Sequence, residues 1–269
     1  MNVIAARLQQ LRRYPSAVFG MVIISLLIIV SVVTPIAIPY DEAVRLWRGG
    51  EEIWRESPRN AWPVWYNWFS STDLPETIVF DTADGDGQRT VEQLSADTRE
   101  ARFVFEFDFP YEAFAPELIL FTSSTYEAKP PYVEMTWFTP DDREIRAGDF
   151  TPGPTGSFRF AQDSRLQRRL ERETGIEDVP AERGLFDDPA QEGLQPLQGT
   201  YRLEVNALLF EEESDVEITF VSYGLVHGWA GTDHRRRDLM IALLWGTPIA
   251  MAFGLLAALG TTITTMAIA

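Results

Sequence analysis

Two long uncharged stretches constrain this chain more than any other feature. No Asp, Glu, Lys or Arg occurs from Tyr14 to Tyr40, and none from Leu239 to Ala269. An α-helix rises about 1.5 Å per residue, so roughly 20 apolar residues cross a hydrocarbon core of about 30 Å. The first stretch, "AVFGMVIISLLIIVSVVTPIAI", is apolar on every side rather than on one stripe, which predicts a transmembrane helix over residues 17–38. Pro15 and Ser16 suit its first turn, and Pro35 and Pro39 suit its exit. A cleaved signal peptide is the alternative. The run is longer than a usual signal core and no clear A-x-A site follows it.

The second stretch is divided by Pro248. The pattern predicts an interfacial segment over 227–248, with Trp245 at headgroup depth, and a second transmembrane helix over 249–269. Gly246, Gly254 and Gly260 are candidate helix-packing positions, because small residues let helices approach closely in lipid. The threonine hydroxyls of this stretch can also hydrogen-bond across to a neighbouring helix. The run continues to Ala269, which suggests the N-terminal piece of a longer membrane protein.

The charge between these stretches is segregated. The chain has 269 residues and a net charge of −17. Three of its 23 Lys and Arg residues, Arg7, Arg12 and Arg13, precede Tyr14, and none of its 40 acids does, so residues 41–238 carry −20. Nucleic-acid binding is excluded as a reading, since phosphate contacts need Lys and Arg. The chain contains no cysteine, which removes disulfides, thiolate metal sites and a cysteine nucleophile. The three N-terminal arginines pull residues 1–16 to the cytoplasmic side. Arg235, Arg236 and Arg237 pull the other end of the middle domain the same way. Long loops translocate largely regardless of charge and the first helix usually dominates, which favours a cytoplasmic N-terminus and an extracytoplasmic middle, residues 42–226.

Residues 39–70 form an aromatic-rich juxtamembrane linker with Trp47, Trp54, Trp62, Trp65, Tyr66, Trp68 and Phe69. Packing into a core and a lid is the favoured reading, over an interfacial belt or a ligand-stacking surface. Over residues 71–226 short runs alternate with period two, among them "ETIVFD", "ARFVFEFDF", "ELILFTSS", "YVEMTWF" and "TYRLEVNALLF". Phe103, Phe105, Phe107 and Phe109 fall on one face of a strand. About seven such runs separated by Pro/Gly turns predict an antiparallel β-sandwich. The insert "SRLQRRLERETG" predicts a helix capped by Ser164 and stopped by Gly175. The fold class expected is therefore a mixed membrane protein, with transmembrane helices flanking an extracytoplasmic, mainly-β domain.

Catalytic signals are sparse. "DTADGDG", residues 81–87, lacks the ligand spacing and closing Glu of a calcium loop and is read as a hairpin turn. Two histidines, His227 and His234, are too few and badly placed for a metal cluster. No phosphate loop, G-x-S-x-G or H-E-x-x-H occurs. Neither a catalytic residue nor a metal or other cofactor is expected.

The segment "GTDHRRRD", Gly231 to Asp238, resembles the G-T-D-x-x-G-R-D signature of binding-protein-dependent ABC transporter permeases of the dipeptide/oligopeptide/nickel class. "LMIALLWGTPIAMAFGLLAALGTT" is similar to the run that follows it in that family. "RRYPSAVFGMVII" and "VTPIAIPYDE" resemble the family's first helix and its exit. The resemblance covers residues 1–41 and 227–269. Arg236 stands where the signature has glycine, Pro248 stands where the family often has arginine, and residues 42–226 replace a usually short outer loop.

The resemblance implies a multi-pass plasma-membrane permease subunit of an ABC importer for peptides, nickel complexes or similar solutes. Its partners would be a second permease subunit, two ATPase subunits that hydrolyse the ATP, an extracytoplasmic substrate-binding protein and the lipid bilayer. It singles out Gly231, Thr232, Asp233, Arg237 and Asp238. Asp233, Arg237 and Asp238 would form an ionic and capping cluster, or the arginines would simply reach to the interface. On this pattern Arg235 and Arg236 matter less than Arg237. The alternative function is a two-helix sensor or receptor with an extracytoplasmic ligand-binding domain.

Overall fold

In a computed structural model, which describes residues 14–268, the chain order is α1 (Pro15–Ala37), α2 (Tyr40–Arg48), α3 (Glu51–Trp54), a 3-10 turn (Val64–Trp68), β1 (Ile78–Asp81), β2 (Gln88–Ser95), β3 (Thr98–Phe109), β4 (Glu117–Thr125), β5 (Tyr132–Phe138), β6 (Glu144–Phe150), β7 (Thr155–Arg159), α4 (Ser164–Thr174), α5 (Ala181–Gly184), β8 (Gly199–Leu209), β9 (Asp215–Tyr223) and α6 (Leu239–Ile268). The basic tip with Arg7, Arg12 and Arg13 lies outside the described residues, as does Ala269. Two units are distinguished: residues 1–54 with 237–269, and Arg55–Arg236. The second is wider than the 71–226 read from strand periodicity.

In the helical unit, α1 and α6 are both long and apolar enough to cross a membrane. Pro15 opens α1 at a position where the missing N–H is no loss. The two helices pack on each other. Trp245 Nε1 donates to the Ile38 carbonyl at 3.2 Å, and its ring meets Tyr40 edge-on at 5.6 Å. Pro248 does not divide the second stretch, contrary to expectation: α6 runs through it as one helix of 30 residues. Proline is tolerated in such helices where nearby groups take up the freed backbone acceptors. The carbonyl that Pro248 leaves without its helical donor is that of Leu244; the Thr247 hydroxyl donates one residue earlier, to the Leu243 carbonyl, at 2.9 Å. Thr261, Thr262, Thr264 and Thr265 likewise donate to carbonyls of their own helix. A threonine hydroxyl in a helix reaches the carbonyl four residues back without leaving its own turn. A Cβ built on Gly246, Gly254 or Gly260 meets nothing within 4 Å.

The second unit is an antiparallel β-sandwich. One sheet has the order β1-β9-β4-β7, the other β2-β3-β8-β5-β6. Period-two alternation is plain in β3, where Phe103, Phe105, Phe107 and Phe109 are buried while Glu106 and Asp108 are exposed. Phe107 sits at the centre of a ring cluster with Trp137, Tyr201 and Phe220 at centroid distances of 5.8, 5.9 and 6.0 Å. Trp137 Nε1 donates to the Leu185 carbonyl at 3.0 Å, which satisfies the polar edge of a fully buried indole. Loss of such a side chain from a packed core costs about 3–5 kcal/mol.

Three details depart from the sequence reading. Nine strands form, not seven: β2 is polar and exposed along its whole length, and β6 is interrupted by a bulge in its pairing with β5. The turn at residues 81–87 is no hairpin, because β1 pairs with β9 and β2 with β3, so it carries the chain from one sheet to the other. Helix α4 is capped by Asp163, whose carboxylate accepts from the amides of Arg165 and Leu166, rather than by Ser164. Gly175 does end it, at φ +71.

The four-stranded sheet is buried on both faces along its inner strands β9 and β4. Ile119, Val221 and Tyr223 form a second apolar cluster there, separate from the main core. Residues 55–63 supply part of the cover: the Tyr223 hydroxyl donates to the Arg55 carbonyl, and the Arg55 guanidinium lies 5.9 Å from the Phe121 ring centre. This cover also positions the candidate site.

Candidate functional site: the signature segment and its anchor

The signature Gly231–Asp238 begins as the return arm of the sandwich unit. Residues 57–64 lie beside residues 225–236 and exchange backbone hydrogen bonds. Trp62 N–H donates to the Leu225 carbonyl at 2.8 Å, His227 N–H to the Trp62 carbonyl at 2.8 Å, and Val64 N–H to the Gly228 carbonyl at 2.9 Å. Further along, Thr232 N–H donates to the Ala61 carbonyl at 3.0 Å and Asn60 N–H to the Asp233 carbonyl at 3.1 Å. The chain therefore enters and leaves the sandwich through one paired stem.

Each early signature residue has a specific task in this stem. Gly231 adopts φ +73, and a Cβ there would lie 2.3 Å from the Ala61 carbonyl oxygen. Both the left-handed backbone and the close approach call for glycine. Thr232 is buried, and its hydroxyl donates to the Pro58 carbonyl at 2.7 Å while accepting from Ala61 N–H at 3.0 Å. Asp233 accepts the Arg235 amide on its carboxylate at 2.8 Å, and its carbonyl accepts from Arg236 N–H at 3.0 Å. These bonds turn the chain just before the arginine run.

The arginines have three different fates. Arg235 is exposed. Arg236 is 2% exposed, one of the largest fully buried side chains in the protein. Its φ is +67, the left-handed region that favours glycine. Its guanidinium donates to the Ser57 carbonyl at 2.8 Å, pairs with Glu117 and stacks on the Tyr223 ring, Cζ to centroid 4.1 Å. Glu117, at the start of β4, also receives Arg159 at 2.8 Å. Arg237 belongs to the helical unit. It donates to the Trp47 carbonyl at 3.0 Å and lies 3.9 Å from the centre of the Trp47 ring. Asp238 caps α6, its carboxylate accepting from Met240 N–H at 2.8 Å.

The sequence reading placed Arg236 below Arg237; the structure buries Arg236 and gives it several partners. A planar guanidinium suits this site because it can bond a carbonyl, pair with a carboxylate and stack on an aromatic face at once. Sequence reasoning missed Glu117, Tyr223 and Ser57 as its partners. The one available signal was an arginine in a glycine position.

Nearby, Glu182 on α5 is buried. Burial, with the Glu117 charge adding to it, pushes its carboxyl above the usual carboxylate range. No group of three His, Cys, Asp or Glu side chains among the described residues could hold a metal ion.

The aromatic linker also departs from expectation. Trp62, Trp65, Tyr66, Trp68 and Phe69 are not packed into a core; Trp68 is 72% exposed and Phe69 81%. Residues 64–68 form a 3-10 turn in which no residue is buried.

No family model matches the chain, and no curated protein matches it. Solved structures similar to it include TmCBM61 in complex with β-1,4-galactotriose, at TM-score 0.23 and 8% identity, covering 62% of this chain and 97% of that one. A structure described as bearing on the promiscuous specificity of carbohydrate-binding modules of the β-sandwich superfamily has TM-score 0.21 and 9% identity, over 62% of each chain. A chaperone–tip adhesin complex of CFA/I fimbriae has TM-score 0.21 and 12% identity, over 56% of this chain and 44% of that one. At these values the likeness bears on neither ligand nor activity.

Proposed function

We propose that this chain is a permease subunit of an ABC importer for peptides, nickel complexes or related solutes, with the β-sandwich inserted between its first two membrane helices. What carries the reading is that the signature positions make position-specific demands. Gly231 sits where no Cβ fits, Thr232 makes two buried hydrogen bonds, Asp238 caps an apolar helix, and position 236, glycine in the family, has kept a left-handed backbone. The paired stem supports the idea of an insertion as well, since an inserted domain needs its two ends adjacent.

On this reading α1 and α6 cross the plasma membrane, the N-terminus is cytoplasmic and the sandwich is extracytoplasmic. A second permease subunit completes the path, two ATPase subunits hydrolyse ATP, and a binding protein delivers solute from outside. Gly246, Gly254 and Gly260, open in this chain, would face neighbouring helices.

Purification of the tagged chain from its native membrane tests this. The expected outcome is recovery with a second multi-helix subunit and with ATPase subunits whose ATP turnover rises on adding the binding protein. Recovery with a kinase, a cyclase or a methyl-accepting coiled coil would assign the sensor function instead. For orientation, an Asp84→Cys variant should react with an impermeant thiol reagent in intact cells. Reaction only after the cells are opened would reverse the topology.

A further inference from the structure

The stem of the sandwich unit displays a cluster of exposed aromatic rings from two segments. Trp62, Trp65, Tyr66, Trp68 and Phe69 come from one, Trp229 from the other. Exposures are 56% for Trp62, 72% for Trp68, 81% for Phe69 and 62% for Trp229. Water contact at large apolar rings is unfavourable by about 25 cal/mol per Å², so a contiguous group of them marks an interaction surface.

The cluster is built rather than loose. Trp65 Nε1 donates to the Trp229 carbonyl at 2.9 Å, and the Trp68 and Trp229 rings meet edge-on at 6.3 Å. Trp62 stacks on Tyr66 at 5.0 Å. Asn67 fixes the turn, donating to Asp73 at 3.1 Å and to the Leu74 carbonyl at 3.0 Å. The rings are therefore held in place before any partner arrives.

Three observations select the partner. The ring types are Trp, Tyr and Phe, the side chains that settle at the boundary between lipid and water. Residues 60–72 and 224–232, which carry the rings, contain no Asp, Glu, Lys or Arg, in a chain of net charge −17. An acidic domain is repelled by an anionic bilayer surface except where it presents an uncharged face. Finally, Leu239 at the start of α6 lies ten positions after Trp229, a reach of at most about 35 Å.

We infer that this aromatic cluster is a membrane foot: Trp62, Trp65, Trp68, Phe69 and Trp229 insert into the headgroup layer of the bilayer that the chain's own helices cross. The inference rests on α1 and α6 spanning that bilayer. Its consequence is mechanical. A sandwich resting on the bilayer is restrained in its tilt to the membrane surface.

The chain is free of cysteine, which allows single nitroxide labels. Four full-length variants, Phe69→Cys, Trp229→Cys, Asp84→Cys and Ala257→Cys, would be labelled and reconstituted in phosphatidylcholine vesicles. Collisions with oxygen and with a water-soluble nickel chelate then report depth. The labels at 69 and 229 should lose most of their nickel collisions and gain oxygen collisions. The label at 84 should remain aqueous and that at 257 should read as hydrocarbon. An aqueous reading at 69 and 229 with a hydrocarbon reading at 257 overturns the foot alone, and would leave a soluble polymer or protein as the occupant of the rings. An aqueous reading at 257 overturns the spanning helices and the foot together. Trp68→Cys repeats the test if Trp229→Cys does not fold.

Discussion

Arg236 and Arg237 are identical neighbours that live in different environments. Arg236 ends the sandwich unit, buried against Glu117, Tyr223 and the Ser57 carbonyl. Arg237 begins the helical unit, stacked on Trp47 at 3.9 Å. Removing the Arg236 side chain leaves the Ser57 carbonyl without its guanidinium donor in a low-dielectric site, while Glu117 keeps Arg159. A half-buried cation–π contact gives its groups back to water. The contrast shows that residue type alone does not set the weight of a charge; the solvent it loses does.

The comparison breaks most directly at these two positions. Arg236→Ala should destabilise the sandwich by about 2–3 kcal/mol, as for a buried carbonyl left without its donor. Arg237→Ala should cost about 0.5–1 kcal/mol. Denaturant unfolding of the full chain in detergent, followed by the near-ultraviolet signal of the aromatic core, measures both. Equal losses would dissolve the distinction. Arg236→Gly sharpens it: the same contacts go, but φ +67 suits glycine, so about 1 kcal/mol should return relative to alanine.

Gly231→Ala comes next, at about 2 kcal/mol, because it combines a left-handed backbone with a contact of 2.3 Å to the Ala61 carbonyl. Loss of protection at the Thr232 amide in hydrogen exchange would locate the damage in the stem. Unchanged protection there would mean that the stem absorbs the methyl. On the helical side, Asp238→Ala removes the cap of α6 and should cost about 1 kcal/mol, read as roughly fivefold faster exchange at Met240.

The smallest effect has the opposite sign. The folded-state pKa of Glu182 is raised by burial, so its ionised form opposes folding, and stability is lost as pH rises from the ordinary carboxylate value through the raised one. Glu182→Gln should therefore raise the unfolding midpoint near pH 7, with the gain shrinking toward about pH 4. A gain that is independent of pH would mean that packing, not charge, is responsible.

Much of the fold was legible because its signals are local. The uncharged lengths of α1 and α6 set their extent, and the alternating phenylalanines of β3 declared both strand and buried face. Gly175 ended α4 as its left-handed conformation requires. The polar strand β2 carried no alternation to read, since both its faces meet water at a sheet edge. Pro248 looked like a boundary because its effect on the backbone is local, while its tolerance depends on the helix around it.

The candidate site divides in the same way. The sequence alone located the segment Gly231–Asp238 and showed that Asp238 opens an apolar helix; both follow from residues a few positions apart. Only the tertiary structure decided that Arg236 is buried, because Glu117, its counter-charge, stands 119 positions away and reaches it through sheet pairing. The exposure of Trp68 and Phe69 was decided at that level too. An aromatic run reads alike whether it is covered or bare, and what covers it is fixed by the packing of distant segments.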